Sequence, residues 1–221
     1  MLYQASTWVL PVVLAVTFHE AAHGFVAYRF GDDTAWRAGR VTFNPLKHID
    51  QFGTIILPAL LILMRSPFLF GYAKPVPVNF WRLDSPRRDM VWVALAGPAT
   101  NVLLAIGSSL LFYGVDLVPP NPAQWLAANL IHSIQINAVL CVFNMLPLPP
   151  LDGGRVAVGL LPDWLARPLA RLEPFGMLIV MLLFVVSYVG RDAGLDLLGW
   201  LIGVPTEALI RFVLVLTGQS G

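Results

Sequence analysis

The sequence predicts an all-α polytopic membrane protein with about five to six transmembrane helices, and composition is the first observation behind this prediction. Hydrophobic residues make up 57% of the 221 residues and charged residues only 12%. The mean hydropathy is +0.71. Soluble domains carry roughly 25% charged residues, so this chain lacks the polar surface that a water-soluble fold needs. The second observation is that the charges are grouped, and they leave apolar stretches near the ~20 residues that a spanning helix requires.

Five of these stretches are predicted to span the bilayer. Core helices are expected at about 5–30, 89–113 and 123–145, with accessory helices at about 174–190 and 195–217. A shorter segment at about 51–72 contains Pro58, and its uncharged run ends at Arg65. A run this short is more often re-entrant or interfacial than spanning. Residues 40–43 and 75–80 are β-rich and proline-punctuated, which favours short β-strands.

The distribution of basic residues predicts the orientation. Lys and Arg fall mainly in three segments, 29–50, 74–88 and 155–171. By the positive-inside rule these segments are cytoplasmic, and 51–72 then enters and leaves the membrane on that side as a hairpin. Five spans would place residue 1 outside and the end of the last helix inside. We expect a single domain over 1–221, embedded as a multi-pass protein in the cell membrane.

Charge and cysteine content exclude other classes of protein. The net charge is only +1, which argues against nucleic acid as a partner, because phosphate binding needs a clustered basic excess. A single cysteine, Cys141, excludes a disulfide framework. The expected partners are therefore the lipid bilayer and membrane-embedded molecules. The sequence leaves the oligomeric state open.

The strongest chemical signal is the sequence H-E-A-A-H at 19–23. On a helix, His19 and His23 face the same way and can bind one metal ion, while Glu20 lies close enough to act on a water there. The motif lies inside an apolar span, where ionisable residues are costly and usually functional. The alternative interpretation is a polar patch that binds neighbouring helices or lines a transport path.

Two histidines leave a zinc ion short of protein ligands, because catalytic sites usually supply three. Asp152 is the natural third ligand. It follows a proline-rich exit from the helix predicted at 123–145 and precedes two glycines, and such non-helical backbone is tolerated at membrane depth only in a protein interior or a water-filled cavity. The alternative is a turn aspartate that caps a surface loop.

Helix rise places the metal site nearer the cytoplasmic side. His19 lies about 16 Å along the helix from Trp8, whereas His23 lies only about 9 Å before Arg29. A zinc ion with ionised Asp152 and Glu20 also sums to zero charge. This neutrality matters because a lone buried charge is costly.

The sequence resembles the site-2 protease family of zinc-dependent intramembrane metalloproteases. The resemblance rests on H-E-A-A-H at 19–23, A-G-P-A-T-N at 96–101 and N-M-L-P-L-P-P-L-D-G at 144–153. The stretch at 39–58 is similar to the compact bacterial and archaeal branch, which has neither a PDZ nor a CBS domain.

This resemblance implies one Zn²⁺ per chain, held by His19, His23 and Asp152, with Glu20 as the catalytic acid and base. It also implies that Asn144 binds the substrate backbone or an oxyanion, although a helix C-terminal cap is the alternative for this residue. The implied activity is hydrolysis of peptide bonds within or near transmembrane helices of membrane-protein substrates, in regulated intramembrane proteolysis. The alternative function is a metal or proton transporter that uses intramembrane His, Glu and Asp.

Two further histidines are not assigned to catalysis. His48 lies beside Asp50 in a loop, and a structural role is favoured over a second metal site or a pH sensor. His132 lies among polar residues in the helix predicted at 123–145. For this histidine we expect a hydrogen bond to a neighbouring helix.

Overall fold

The structure, a computed structural model, describes residues 2–65, 71–190, 194 and 196–219. Its α-helices are α1 (Leu2–Arg29), α2 (Thr34–Arg37), α3 (Leu57–Leu63), α4 (Pro86–Leu111), α5 (Pro120–Asn144), α6 (Asp152–Leu160), α7 (Asp163–Ala170), α8 (Gly176–Gly190) and α9 (Val204–Leu216). Short 3₁₀ helices lie at Pro45–Lys47, Phe80–Arg82, Phe112–Leu117 and Glu173–Phe175, and π-helical turns lie at Gln51–Ile56 and Gly199–Gly203.

Five helical segments are long and apolar enough to cross a membrane, which agrees with the fold class predicted from composition. They are Ser6–Arg29, Pro86–Leu117, Pro120–Asn144, Asp163–Gly190 and Gly199–Leu216. The protein is therefore a multi-pass helical membrane protein.

Helices α1, α4 and α5 pack against one another and form the centre of the molecule. Small residues lie where these helices meet, and Ala15, Ala105 and Ala138 are fully buried. Small side chains let helix backbones approach closely, which is how membrane helices gain packing energy. Arg29 and Arg87 lie at one end of this bundle, which we call the basic end. Helix α1 finishes there and α4 begins there.

The β-strands predicted at 40–43 and 75–80 do not form among the residues that the structure describes. Pro75 and Pro77 have no N–H to give to a ladder. The Val76 N–H donates to Glu20 Oε2 at 2.8 Å, and the Asn79 N–H donates to Asp32 Oδ2 at 2.6 Å. The segment at 71–79 is thus an extended strap, bound to carboxylates and not to a neighbouring strand.

The segment predicted as a hairpin at 51–72 returns beside its own start. The Tyr72 N–H donates to the Gly53 carbonyl at 3.1 Å, and Thr54 Oγ1 donates to the Tyr72 carbonyl at 2.9 Å. Residues 66–70 of this predicted hairpin lie outside the described residues.

The direction of α9 differs from the prediction that the last helix ends inside. Tyr113 Oη donates to the Thr217 carbonyl at 2.7 Å, and Gln219 Nε2 donates to the Ser109 carbonyl at 2.5 Å. Ser109 and Tyr113 lie at the end of the bundle opposite the basic end. There α1 also begins, where its Ser6 accepts a hydrogen bond from Trp125 Nε1.

Helix α8 explains this difference. It starts against the loop that follows α5, because Gly176 lies beside Pro149, and near its end Ser187 Oγ accepts a hydrogen bond from the Leu198 N–H. Leu198 is 19 residues before Thr217, about 28 Å along a helix, and so lies toward the basic end. The contacts of both ends of helix α8, with Pro149 and with Leu198, therefore lie toward the basic end.

We predict that residue 219 is labelled from the same side of the membrane as the α4–α5 connection. Single cysteines would replace Gln219, Asn121 or Arg88 in a Cys141→Ser background, with an impermeant maleimide applied to intact cells. Gln219→Cys should share its accessibility with Asn121→Cys. Shared accessibility with Arg88→Cys would contradict the observed direction of α9.

Candidate metal centre

Three buried side chains converge between α1, α4 and the start of α6. His19 Nε2 and His23 Nε2 are 3.0 Å apart. Asp152 Oδ2 lies 3.2 Å from the first and 3.4 Å from the second. The three residues are only 6%, 9% and 6% exposed. The structure thus brings together, in a buried pocket, the three residues that the sequence indicated as ligands.

Local sequence explains how each side chain reaches this point. His19 and His23 are one turn apart on α1, so their rings lie on one face. Asp152 is the first residue of α6, after a turn in which Gly153 packs against the Met145 carbonyl and Gly154 against Pro149. A Cβ at either glycine would lie 2.2 Å from backbone atoms. Glycine is therefore required for the loop to fold back and aim the carboxylate at α1.

Hydrogen bonds fix the tautomer of both imidazoles. His23 Nδ1 lies 2.7 Å from the Val93 carbonyl, and His19 Nδ1 lies 2.6 Å from Asn101 Oδ1. Both acceptors are oxygens, so each Nδ1 carries the proton and donates it. The two Nε2 atoms then present bare lone pairs to each other and to the carboxylate.

This donor set fits a divalent cation. Metal-ligating histidines usually donate their other ring N–H to a carbonyl or carboxylate, as both do here. Adjacent ligands of a tetrahedral zinc at about 2.0 Å are about 3.3 Å apart, close to the observed separations. Asp152 Oδ2 is also buried without a hydrogen-bond partner, which leaves it free to bind a cation.

The charge state of Asp152, which lies outside the five spans, agrees with this. Burial alone raises the pKa of a carboxyl group, but the adjacent imidazoles of His23 and His19 lower the pKa of Asp152 below its usual range. Asp152 is therefore ionised in this pocket, as a metal-binding carboxylate must be.

Gly97 forms the floor of the pocket. A Cβ at this position would lie 2.4 Å from His23 Nε2 and 2.6 Å from His19 Nε2. The imidazoles consequently rest directly on the backbone of α4. From the sequence, Gly97 is expected to be a small-residue packing position, and the structure shows that the two imidazoles are what packs there.

Glu20 follows His19 on α1 and reaches the strap. Its Oε2 accepts the Val76 N–H at 2.8 Å, the one donor in the sequence Pro75-Val76-Pro77. The strap crosses α1 at Gly24, where an added Cβ would lie 3.1 Å from a methyl of Val76. Glu20 is therefore oriented by the backbone of the strap.

Asn144 is the last residue of α5, eight residues before Asp152 along the chain. Its Nδ2 donates to the Leu140 carbonyl at 3.0 Å, within its own helix. This bond resembles the capping alternative more than a substrate contact.

The two remaining histidines make structural contacts. His48 Nε2 donates to the Thr42 carbonyl at 3.0 Å, which agrees with a structural loop residue. His132 Nδ1 donates to the Thr7 carbonyl at 2.9 Å, and its ring stacks on Trp8. These contacts join α5 to α1, as the sequence led us to expect for His132.

Comparison with known proteins gives the family. The profile of Peptidase family M50 matches residues 121–187. The chain is 42% identical over 204 residues to "Putative zinc metalloprotease YwhC" of Bacillus subtilis, an alignment that covers 86% of this chain and 89% of that protein.

Two more distant relatives carry similar names. "Putative zinc metalloprotease Rip2" of Mycobacterium tuberculosis H37Rv is 30% identical over 194 residues, which cover 87% of this chain and 68% of Rip2. "Putative zinc metalloprotease MJ0611" of Methanocaldococcus jannaschii is 32% identical over 141 residues, 63% of this chain and 62% of that protein. No solved structure gave a significant match.

Helical membrane architecture, a three-residue metal pocket and these relatives define a zinc metalloprotease. The chain belongs to the site-2 protease family, peptidase family M50. The resemblance inferred from its motifs is confirmed, and its cofactor is Zn²⁺. The names of the relatives favour a peptidase over the transporter alternative.

We predict that Gly97→Ala weakens zinc binding by tenfold or more without unfolding the helix. The added methyl group would occupy the space of both Nε2 atoms, so zinc affinity should fall by tenfold or more, as for other changes that displace ligands. Gly107→Ala is the matched control, because nothing lies within 4 Å of a Cβ there in the same helix. Zinc content by elemental analysis measures both, and equal content in the two variants would contradict the assignment of the pocket floor.

Proposed function

We propose that this chain is an intramembrane endopeptidase, built as one membrane-embedded protease domain over 1–221. It hydrolyses peptide bonds within or near transmembrane helices of membrane-protein substrates, as a step in regulated intramembrane proteolysis. The observation that supports this most strongly is the buried convergence of His19, His23 and Asp152 inside a spanning helix bundle. A metal site at that depth serves a substrate that is itself in the membrane, because ionisable groups there are costly unless functional.

In this proposal His19, His23 and Asp152 hold the zinc ion, and Glu20 is the catalytic acid and base. When bound, Zn²⁺ supplies Lewis acidity, which lowers the pKa of water and polarises a carbonyl oxygen. Glu20 takes a proton from the attacking water while the water oxygen bonds to the scissile carbonyl carbon. As the C–N bond breaks, Glu20 returns that proton to the leaving nitrogen.

The strap supports this role of Glu20. With Oε2 held by the Val76 N–H, the carboxylate cannot rotate freely, and Oε1 is the oxygen that takes the proton. A general base must lie within hydrogen-bond reach of the proton that it abstracts. The backbone donor thus keeps Glu20 in one orientation and cannot itself be removed by a side-chain change at Val76.

Asn144 is proposed to bind the substrate backbone or the developing oxyanion. An amide N–H can stabilise charge on a carbonyl oxygen, and Asn144 lies at the end of α5 that leads to Asp152. To do so, Asn144 Nδ2 would exchange its bond with the Leu140 carbonyl for one with the substrate.

The basic end of the bundle is proposed to lie on the cytoplasmic side of the cell membrane, since it carries most of the Lys and Arg residues. The metal pocket then lies nearer the cytoplasmic side. The segment 51–72 is proposed as a re-entrant hairpin on that side, a placement that the hydrogen bonds between Tyr72 and residues 53–54 support.

We predict that Glu20→Gln lowers peptide cleavage by about 100- to 10,000-fold, the usual contribution of a positioned acid or base, while zinc stays at about one per chain. Asp152→Ala should instead lose zinc, because a ligand is removed. Cleavage of a reporter transmembrane peptide and elemental analysis are measured on the same preparations. Full cleavage by Glu20→Gln would remove Glu20 from the mechanism, and zinc unaffected by Asp152→Ala would mean a different third ligand.

We also predict that helix-breaking residues near the scissile bond speed cleavage. A transmembrane helix satisfies its own backbone hydrogen bonds, so the substrate must unwind before a carbonyl can reach the pocket. Matched peptides with Gly-Pro or Leu-Leu beside the cleavage site would be compared for kcat/KM. Equal rates for the two peptides would contradict a requirement for local unwinding.

A further inference from the structure

His19 is the start of a buried chain of polar groups that crosses from α1 to α4 and α5. His19 Nδ1 donates to Asn101 Oδ1 at 2.6 Å, and Asn101 Nδ2 donates to Asn137 Oδ1 at 2.8 Å. Asn137 Nδ2 then donates to the Ser133 carbonyl at 2.8 Å. Asn101 is completely buried and Asn137 is 1% exposed. Burying two amide side chains in apolar spans costs free energy. In this bundle their hydrogen bonds lead to one proposed metal ligand, His19.

The direction of this chain is set at its far end. The Ser133 carbonyl can only accept, so Asn137 must turn its Nδ2 toward it and present Oδ1 to Asn101. Asn101 must then donate with Nδ2, which also points at the Ala15 carbonyl at 3.4 Å. The Oδ1 of Asn101 is thereby left for His19. A backbone carbonyl on α5 thus determines which amide atom faces the imidazole on α1.

This polarity has a consequence at the metal pocket. Because Nδ1 of His19 faces the acceptor Asn101 Oδ1, Nδ1 must carry the ring proton. The lone pair on Nε2 then points at Asp152 and His23. If the Asn101 amide were reversed, its N–H group would face Nδ1, and the ring proton would move to Nε2, where it blocks metal binding. His23 has no such dependence, because its Nδ1 donates directly to the Val93 carbonyl, which cannot reverse.

We propose that Asn101 and Asn137 are positioning residues that fix the tautomer and ring orientation of His19 for zinc. This inference rests on the proposed function of His19 as a ligand. It extends that function to two residues that touch neither substrate nor metal. Loss of such outer contacts typically weakens metal affinity by about 10- to 100-fold.

The test separates this role from simple helix packing. Asn101→Leu and Asn137→Leu remove the amides at similar volume, and each should weaken zinc affinity by about 10- to 100-fold in competition with a chelator. Asn101→Asp should recover part of the affinity that Asn101→Leu loses, since its carboxylate accepts from His19 Nδ1 and imposes the same tautomer, although it cannot donate to Asn137 Oδ1. Ser109→Ala is the matched control, because it removes a buried interhelical hydrogen bond to Thr217 that does not connect to the pocket.

Two further readouts would not respond to a merely structural role. The visible absorption of the cobalt-substituted protein should change in the leucine variants and return in Asn101→Asp. If a leucine variant does not fold, the ¹⁵N shifts of histidine-labelled wild type still decide the tautomer. His19 should then show a protonated Nδ1 and a metal-bound Nε2.

Wild-type zinc affinity and an unchanged cobalt spectrum in both leucine variants would overturn the inference, as would a His19 bound through Nδ1. A loss of affinity in Asn101→Asp equal to that in Asn101→Leu would also overturn it. These outcomes differ from failure of the proposed function, which would appear as a wild type without zinc or as an Asp152→Ala variant that retains it.

Discussion

Mutual repulsion among three buried electron pairs is the constraint on which the rest of this structure depends. Two imidazole nitrogens and a carboxylate oxygen lie within 3.4 Å of one another, and hydrogen bonds to the far side of each ring turn both nitrogens toward the carboxylate. In a medium of low dielectric such an arrangement is unfavourable unless a cation lies between the groups. We therefore expect zinc binding and correct helix packing to be coupled in this protein.

The packing of the bundle follows from the same requirement. Gly97 brings the backbone of α4 against the two rings, and fully buried alanines let α1, α4 and α5 approach closely enough for this contact. Gly153 and Gly154 allow the loop after α5 to fold back, so that Asp152 reaches α1 from another part of the chain. The strap then covers the neighbouring Glu20. The proposed ligands and the floor of the pocket thus come from three segments, α1, α4 and the start of α6, which meet at one point.

The sequence predicted the parts of the site that depend on local spacing. His19, Glu20 and His23 lie within about one helical turn, and ionisable residues grouped in an apolar span are usually functional. Asp152 could be inferred because its loop is incompatible with a helix. The proposed roles of Asn101 and Asn137 could not be inferred from the sequence, although amide residues within apolar helices were a signal that it contained. Their meaning depends on which acceptor each faces across helices, and no local pattern encodes that.

The absence of such long-range contacts from local sequence patterns also explains the errors in the predicted fold. Alternating residues at 75–80 favoured a strand, but the pairing partner of Val76 is a side chain on α1, which periodicity cannot reveal. Hydropathy located the apolar segments correctly, yet it cannot tell that the contacts of both ends of α8 lie toward one side. The direction predicted for α9 was therefore wrong, since the prediction assumed that each apolar segment crosses the membrane.

X-ray absorption at the zinc edge tests the central claim most directly, because it reports the ligands without relying on activity. The account predicts two imidazole nitrogens and oxygen neighbours at about 2.0–2.2 Å, with no sulfur shell at about 2.3 Å. In Asp152→Ala the carboxylate contribution should be lost or the zinc absent. A sulfur shell, more than two imidazoles, or an unchanged spectrum in Asp152→Ala would contradict a centre built from His19, His23 and Asp152.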